Sequence, residues 1–454
     1  MGCFAFDRRA GIADTDQPEP KTVKNGAAEW AVKRIFRFFT IGILLTSFIH
    51  NYARKASAAQ AQDDPRLTHV LDLLRTTASA TTEEQIRITE IPAPPFQEGT
   101  RAAYMKKLLM SAGLRVEMDA IGNVIGEFPG TSPEIVMLTA HMDTVFPAGT
   151  DVRVKREGGR LLAPGISDNG TGLAALVALA KAFREAKIKT SKSIYFVADV
   201  GEEGEGNLRG IRALVDTYKK NLKYVIALDG SATEYVTDAA LASRRVEVAV
   251  TGPGGHSWSD FGVPNPIHAL GRGISRFVVA RVPEFPRTSF NIGEIQGGTS
   301  VNSIPMGAMM KVDLRSESES ELSKLEGLLR DAMRAGVDEE MSAARERGMA
   351  GSGNVLDLKI SVLGVRPAGE LPESSPLLAA LLAADTRLGN RSRRERSSTD
   401  ANIPLSLGIA AISIGAGGRS GGAHTLEEWF DPTGREFGLQ RVALTTLAVA
   451  GLEP

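Results

Sequence analysis

From Pro65 onward, short apolar runs alternate with stretches whose apolar residues fall at helical spacing. Ile135–Ala140, Ile194–Val200, Tyr224–Leu228 and Ala410–Ile414 lack the polar alternation of a half-exposed strand, which predicts strands buried on both faces. Between the first two, Leu173, Leu176, Val177, Ala180 and Phe183 recur on one helical face. The middle of the chain differs. Val246–Val250, Ser289–Ile295, Met309–Leu314 and Leu356–Val362 predict strands, several with polar alternation, and residues 266–279 and 319–347 predict helices. A strand–helix–strand–strand–helix–strand order predicts a small α+β, ferredoxin-like layer with one sheet face exposed. The domain reading is therefore an α/β catalytic domain built from 63–240 and 365–454, interrupted by an inserted α+β domain at 241–364. No fixed-period repeat is present. Five arginines within Arg387–Arg396 predict a solvated loop rather than a binding patch.

Residues 1–62 read as an N-terminal extension. A polar stretch to residue 32 precedes Lys33-Arg34-Ile35-Phe36-Arg37, the apolar run Phe38–Ile49 and small residues at 56–61. A basic segment, a short apolar core and an Ala-x-Ala site form the pattern of an export signal or anchor over 33–61. The apolar run is shorter than the roughly 20 residues that span a bilayer. The expectation is an exported protein, periplasmic, secreted or membrane-tethered, with a cytoplasmic protein as the alternative.

Composition narrows the chemistry. Hydrophobic residues at 43% and charged residues at 24% exclude a disordered chain and a polytopic membrane protein. A net charge of −1 gives no global field for nucleic acid, and no nucleic-acid partner is expected. The single cysteine, Cys3, excludes an intramolecular disulfide and a thiolate zinc site. Any metal must be held by His, Asp and Glu.

Such residues recur where strands are predicted to end. Ala140-His141-Met142-Asp143 closes the first run, and residues two apart on a strand share a face. One of the pair suits a metal, the other suits orienting that imidazole. Asp168 precedes the predicted helix and could be its cap. Glu202-Glu203 lies in a Gly-rich turn after another buried run, as a like-charged pair that a cation would relieve. The same pair could also be a surface acidic loop. Asp229 follows Leu228, and His424 follows a Gly-rich stretch. In an open α/β sheet, that strand edge binds ligands. Two histidines and three carboxylates suffice for two zinc ions sharing one carboxylate, with a further Glu free to take a proton.

In these motifs and their order, the chain resembles the di-zinc amidohydrolases that include peptidase T, glutamate carboxypeptidase, aminoacylase, acetylornithine deacetylase and succinyl-diaminopimelate desuccinylase. The resemblance runs from Pro65 to the end, about 390 residues. It implies a zinc exopeptidase-like domain with a central mixed sheet flanked by helices, plus an inserted lid and dimerisation domain. It implies that His141 and Asp229 hold one zinc, Glu203 and His424 the other, and that Asp168 bridges them. Cobalt or manganese are possible substitutes. Asp143 would orient His141, and Glu202 would be the general base. In Gly252-Pro253-Gly254-Gly255-His256-Ser257, His256 matches the family's oxyanion-stabilising histidine, often supplied across a dimer. Asn302 and Arg315 match substrate-binding positions, although Arg315 alone reads as a surface salt bridge. A homodimer through the inserted domain is expected.

The motifs Asp168-Asn169-Gly170, Ser397–Asn402 and Gly417–Gly422 look closest to the peptidase T-like branch, whereas His141–Pro147 is similar to the glutamate carboxypeptidase branch. The expected activity is tripeptide or dipeptide aminopeptidase. The alternative is a carboxypeptidase or N-acyl-amino-acid deacylase. A binding protein descended from a hydrolase would have lost ligands or base, and all of them are present.

Overall fold

The computed structural model describes residues 64–351 and 353–454, so the expected export segment lies outside the described residues. Asp63–Pro454 forms one compact unit. Helices α1 (Pro65–Thr76), α2 (Ala78–Thr89) and α3 (Gly99–Ser111) lead into strands β1 (Arg115–Met118), β2 (Val124–Phe128) and β3 (Ser132–His141). A small hairpin, β4 (Lys155–Glu157) and β5 (Arg160–Leu162), precedes α4 (Gly170–Glu185). Then follow β6 (Lys192–Asp199), α5 (Arg209–Tyr218), β7 (Leu222–Leu228) and β8 (Tyr235–Ala240). The middle segment contains β9 (Ala242–Thr251), β10 (Gly255–His256), α6 (Pro266–Phe277), β11 (Thr288–Gly297), β12 (Ser303–Ile304), β13 (Gly307–Ser316), α7 (Glu319–Glu346) and β14 (Asp357–Arg366). The last part holds β15 (Gly369–Glu370), α8 (Pro376–Leu388), β16 (Arg393–Ser397), α9 (Asn402–Ser406), β17 (Ala410–Ile414), β18 (Arg419–Gly421), β19 (Trp429–Asp431) and α10 (Arg435–Ala450).

The main sheet is mixed and nine-stranded, in the order β1-β2-β6-β3-β7-β17-β8-β15, with β16 also pairing with β8. Its centre, β6-β3-β7-β17, is parallel. Covered on both faces, these strands carry the unbroken apolar runs. Met137, Leu138, Phe196, Val197, Val225, Ile226, Ala411 and Ile412 are fully buried. Helix α4 is buried almost all round rather than on one face, because it lies between the sheet and α1 and α2. Its N-cap is Asn169, whose side chain accepts from Gly172 N at 3.1 Å, so Asp168 is free of capping duty.

The middle segment builds a second sheet, all antiparallel, in the order β11-β13-β9-β14. That is the ferredoxin-like order the pattern predicts. Along β13 burial alternates: Ala308, Met310, Val312 and Leu314 face a core shared with α6 and α7. Lys311, Asp313 and Arg315 therefore lie on the helix-free face. The Arg387–Arg396 stretch is not a simple loop. Its second half is β16, parallel to β8, with Arg394 paired to Asp238 and Glu373 and Arg396 to Glu370. Alternating acidic partners on β8, β15 and the preceding turn let an arginine-rich strand join the sheet. Among the described residues, no helix is long and apolar enough to cross a membrane.

One buried ion pair ties α8 to α10. Arg441 Nε donates to Asp385 Oδ1 at 2.6 Å and Nη2 to Oδ2 at 3.3 Å, with both side chains at most 4% exposed. Ser392 and Asn390 donate to the same carboxylate. Burial alone would raise the Asp385 carboxyl, but these donors, Arg441 foremost, hold it below the ordinary range. Arg441→Leu should cost about 3–5 kcal/mol in urea unfolding, because it leaves that charge buried and unpaired. A loss below about 1 kcal/mol would show that Ser392 and Asn390 suffice.

Candidate metal centre

Three neighbouring parallel strands deliver acidic and imidazole groups to one edge. β3 ends at His141, β6 ends two residues before the Gly201 turn that carries Glu202 and Glu203, and β7 ends at Leu228, next to Asp229. The loop between β5 and α4 brings Asp168. The loop between β18 and β19 brings His424, which adopts a left-handed backbone with φ 66°. A histidine in that region is strained, and such strain is concentrated at functional sites.

The side chains meet. His141 Nε2 lies 3.1 Å from Asp168 Oδ1. His424 Nε2 lies 3.0 Å from Asp168 Oδ2 and 2.9 Å from Glu203 Oε1. Donor atoms of His141, Asp168 and Asp229 lie within 4.8 Å of one another, and so do those of Asp168, Glu203 and His424. Asp168 is common to both groups. His141, Glu202 and Glu203 form a third such group.

Electrostatics fit a pair of cations. Burial, then the Asp168 carboxylate, push Asp229 up to about 8. Burial and Asp199 push Asp400 well above the ordinary range. Hydrogen bonds to Asp168 and Glu203 raise His424 to about 10. The carboxylates outnumber the cations close enough to neutralise them, which is costly unless divalent ions bind. Two imidazoles and three carboxylates, with no thiolate, are a donor set for zinc, cobalt or manganese.

Asp143 lies against both His141 and the paired-glutamate turn. His141 Nδ1 faces the main-chain carbonyl of Asp143 at 3.0 Å, while the nearer carboxylate oxygen is 3.7 Å away. That carboxylate also accepts Glu202 N at 3.0 Å and Glu203 N at 2.8 Å. It holds the paired-glutamate turn against the end of β3. Gly201 in that turn has φ 70°, and a Cβ there would meet the Arg209 guanidinium.

Within the chain, the contacts of His256, Asn302 and Arg315 are made away from the cluster. His256 is exposed, and its polar contacts are local: its N–H donates to Asp260, and its Nδ1 accepts from Trp258 N at 3.2 Å. Pairing of β10 with β12 sets Asn302 nearby, and Asn302 O accepts from Ser257 N at 3.0 Å. Arg315 Nε donates to Asp313 at 2.7 Å, the surface salt bridge of the plainer reading.

Several residues at the centre were given no role from sequence. Arg366, at the end of β14, donates to Glu202 Oε1 at 2.8 Å, to Ser398 Oγ at 3.0 Å and to the Glu202 carbonyl. Arg245 on β9 donates to the Gly204 carbonyl. Buried Arg101 donates to Met142 O at 2.7 Å and to the carbonyls of Thr89 and Ile91, supporting the His141–Asp143 segment from below. Asp199 and Asp400 are a buried, interacting carboxyl pair. Asp199 carried a legible signal, an acid at the end of an apolar run. Arg366 and Arg245 carried none.

An open α/β sheet with a two-group carboxylate–imidazole cluster on its strand edge defines a metal-binding architecture. The profile of Peptidase family M20/M25/M40 matches residues 137–447, and the chain belongs to that family. It is 28% identical over 212 residues to succinyl-diaminopimelate desuccinylase of Psychrobacter arcticus, covering 42% of this chain and 51% of that protein. It is 24% identical over 264 residues to carboxypeptidase G2 of Pseudomonas, covering 57% and 58%. The chain spans about half the length of the curated relatives it matches. The fold is similar to that of aminopeptidase PepT from Bacillus cereus, with a TM-score of 0.64 and 20% identity over 82% of this chain and 99% of that one.

Asp168→Ala should lower zinc content in both groups at once, measured by atomic emission after loading and desalting. Retention of wild-type stoichiometry would remove Asp168 from its shared position.

Proposed function

We propose that the protein is a di-zinc exopeptidase that hydrolyses short peptides, acting as a tripeptide or dipeptide aminopeptidase. The observation that supports this most is Asp168 standing in both donor groups with Glu202 beside them. His141 and Asp229 would hold one zinc, Glu203 and His424 the other, and Asp168 would touch both. Zinc bound there supplies a water of lowered pKa and a Lewis acid for the scissile carbonyl.

Glu202 takes the proton from the attacking water and delivers it to the leaving amine. Its environment suits both halves of that task. Burial raises its carboxyl pKa, while Arg366 pulls in the opposite direction, and the net shift is upward. Asp143 fixes where the Glu202 carboxylate starts, through the two main-chain N–H groups it accepts. Within one chain, His256 makes only local contacts. In the proposed homodimer it would reach the partner's centre to stabilise the oxyanion, with Asn302 beside it. Exposed Trp258, Phe261, Val301 and Met306 around that hairpin favour burial against a second copy.

A second reading is favoured by one observation. Arg245, Arg315 and Arg366 share the helix-free face of the second sheet, and two of them already touch the Glu202–Gly204 turn. Such a surface suits a substrate carboxylate, as in a carboxypeptidase or an N-acyl-amino-acid deacylase.

Glu202→Gln should keep its metal and lose turnover by at least about 10²–10⁴-fold, the contribution of a positioned base. A variant that retains wild-type kcat would remove Glu202 from the reaction. A panel of free tripeptides and dipeptides, their N-acetyl forms and their C-terminal amides separates the two substrate readings. Cleavage that needs a free amine and disappears with chelator is expected. Cleavage that needs a free carboxylate and tolerates acylation would replace the aminopeptidase with the carboxypeptidase or deacylase.

A further inference from the structure

Glu428 is an acid at the metal centre that belongs to none of the donor groups. It is fully buried, and its carboxylate faces main chain rather than side chains. Oε2 accepts Gly165 N at 2.7 Å, and Oε1 accepts Ser167 N at 2.8 Å and Asp168 N at 2.9 Å. Its own carbonyl accepts Ala163 N at 3.1 Å. Glu428 lies in the β18–β19 loop with His424, and the N–H groups it accepts lie in the β5–α4 loop with Asp168.

Those two loops also meet through the His424–Asp168 contact and through the small sheet beneath them. β5 pairs with β19, Leu162 against Trp429, which sets the loops side by side. Leu161, Ala163, Ile166 and Phe430 form a small apolar core under them. The Asp168 loop is held from behind by Gln85, which donates to the Ile166 carbonyl and accepts from buried Arg435. From the front, the ligand side, the bonds to its N–H groups come from Glu428. Irregular buried backbone needs partners for each N–H. Three converging N–H groups call for an acceptor with two oxygens and no hydrogen, which is a carboxylate.

We propose that Glu428 is a positioning residue that sets the Asp168 carboxylate against His424 and thereby fixes metal affinity in the Asp168–Glu203–His424 group. The proposal rests on the metal-centre reading above. The ligating histidine and the clamp sit four residues apart, so movement of either loop moves ligand and clamp together. The Asp168 loop has little room to adjust in compensation. Gly165 has φ 76°, and a Cβ at that position would lie 2.8 Å from Thr144 Cγ2. A glutamine at 428 would turn one amide N–H group toward a main-chain donor. An aspartate would keep the charge but fall one methylene short.

The test compares wild-type protein with Glu428→Gln and Glu428→Asp. Glu340→Gln serves as the control, since Glu340 is a buried glutamate that accepts Asn265 N in the second sheet's helix pair, away from the centre. Each is titrated with zinc against a competing chelator, loaded with cobalt for its visible spectrum, and melted without metal. Glu428→Gln should weaken zinc at one of two sites by about 10–100-fold, the usual cost of losing an outer partner of a ligand, and should change the cobalt spectrum. Glu428→Asp should recover part of the affinity. Glu340→Gln should leave zinc affinity and spectrum unchanged even if it melts earlier. Wild-type zinc affinity and cobalt spectrum in Glu428→Gln overturn the proposal. If that variant does not fold, Glu428→Asp decides: weaker zinc with a near-wild-type melting point supports the clamp, and unchanged zinc overturns it. A wild-type protein that binds neither metal overturns the metal-centre reading itself, and the clamp with it.

Discussion

Asp168, Glu203 and Asp229 crowd one small volume with His141 and His424, and Glu202 lies at its margin. Carboxylates at that spacing repel, and burial removes the water that would screen them. The cost appears in Asp229, which burial and then the Asp168 carboxylate push up to about 8. A fold does not collect such charge by accident of packing, because each group would be more stable in solvent or neutral. Cations among the carboxylates relieve that cost. The remaining architecture holds these groups at that spacing in spite of their repulsion.

The restraint comes from side chains that bind main chain. Asp143 anchors the Glu202–Glu203 turn to β3. Asn169 caps α4 with its Oδ1 and, through Nδ2, donates to the Leu228 carbonyl at 2.7 Å, next to Asp229. Arg101 supports the His141–Asp143 segment. Each bond joins a ligand-bearing turn to the end of a neighbouring strand or helix. The turns have no regular hydrogen-bonding of their own, so these contacts replace what a helix or ladder would provide. They also explain why Gly172 has no side chain: a Cβ there would lie 2.5 Å from Asn169 Oδ1 and 2.7 Å from the Leu228 carbonyl oxygen.

How much of this was legible depended on the range of the interaction that gives a residue its meaning. Central strands β3, β6, β7 and β17 were readable because burial on both faces leaves a continuous apolar run. The alternation along β13 and the helix pair α6–α7 were readable from period alone. Candidate ligands that follow such strands, His141 and Asp229, inherit their legibility from the strand edge. For Asp143, a spacing of two residues puts it beside the imidazole but cannot tell which of its atoms comes nearest, nor that its carboxylate also accepts from the Glu202–Glu203 turn. Arg387–Arg396 read as a solvated loop because its acidic partners, Asp238, Glu370 and Glu373, are supplied by other segments. Arg366 was invisible for the same reason: its partner Glu202 is 164 residues away. The short strands β4, β5, β18 and β19 were also missed, having too few residues to show a period.

The two layers contribute different things to the same edge. The parallel sheet positions the carboxylate–imidazole cluster with buried, mutually bonded groups. The antiparallel sheet spends one face on its own core with α6 and α7, so only the other is available to a ligand. On that face the register aligns Arg315 and Arg366 on either side of Ser243, with Arg245 two residues along β9. Two of these arginines are already committed to the Glu202–Gly204 turn, and Arg315 is committed to Asp313. A substrate carboxylate would therefore have to compete with existing partners on that face. These charges lie on strands whose pairing, rather than spacing, brings them to the Glu202–Gly204 turn, so ligand motifs alone do not reveal them.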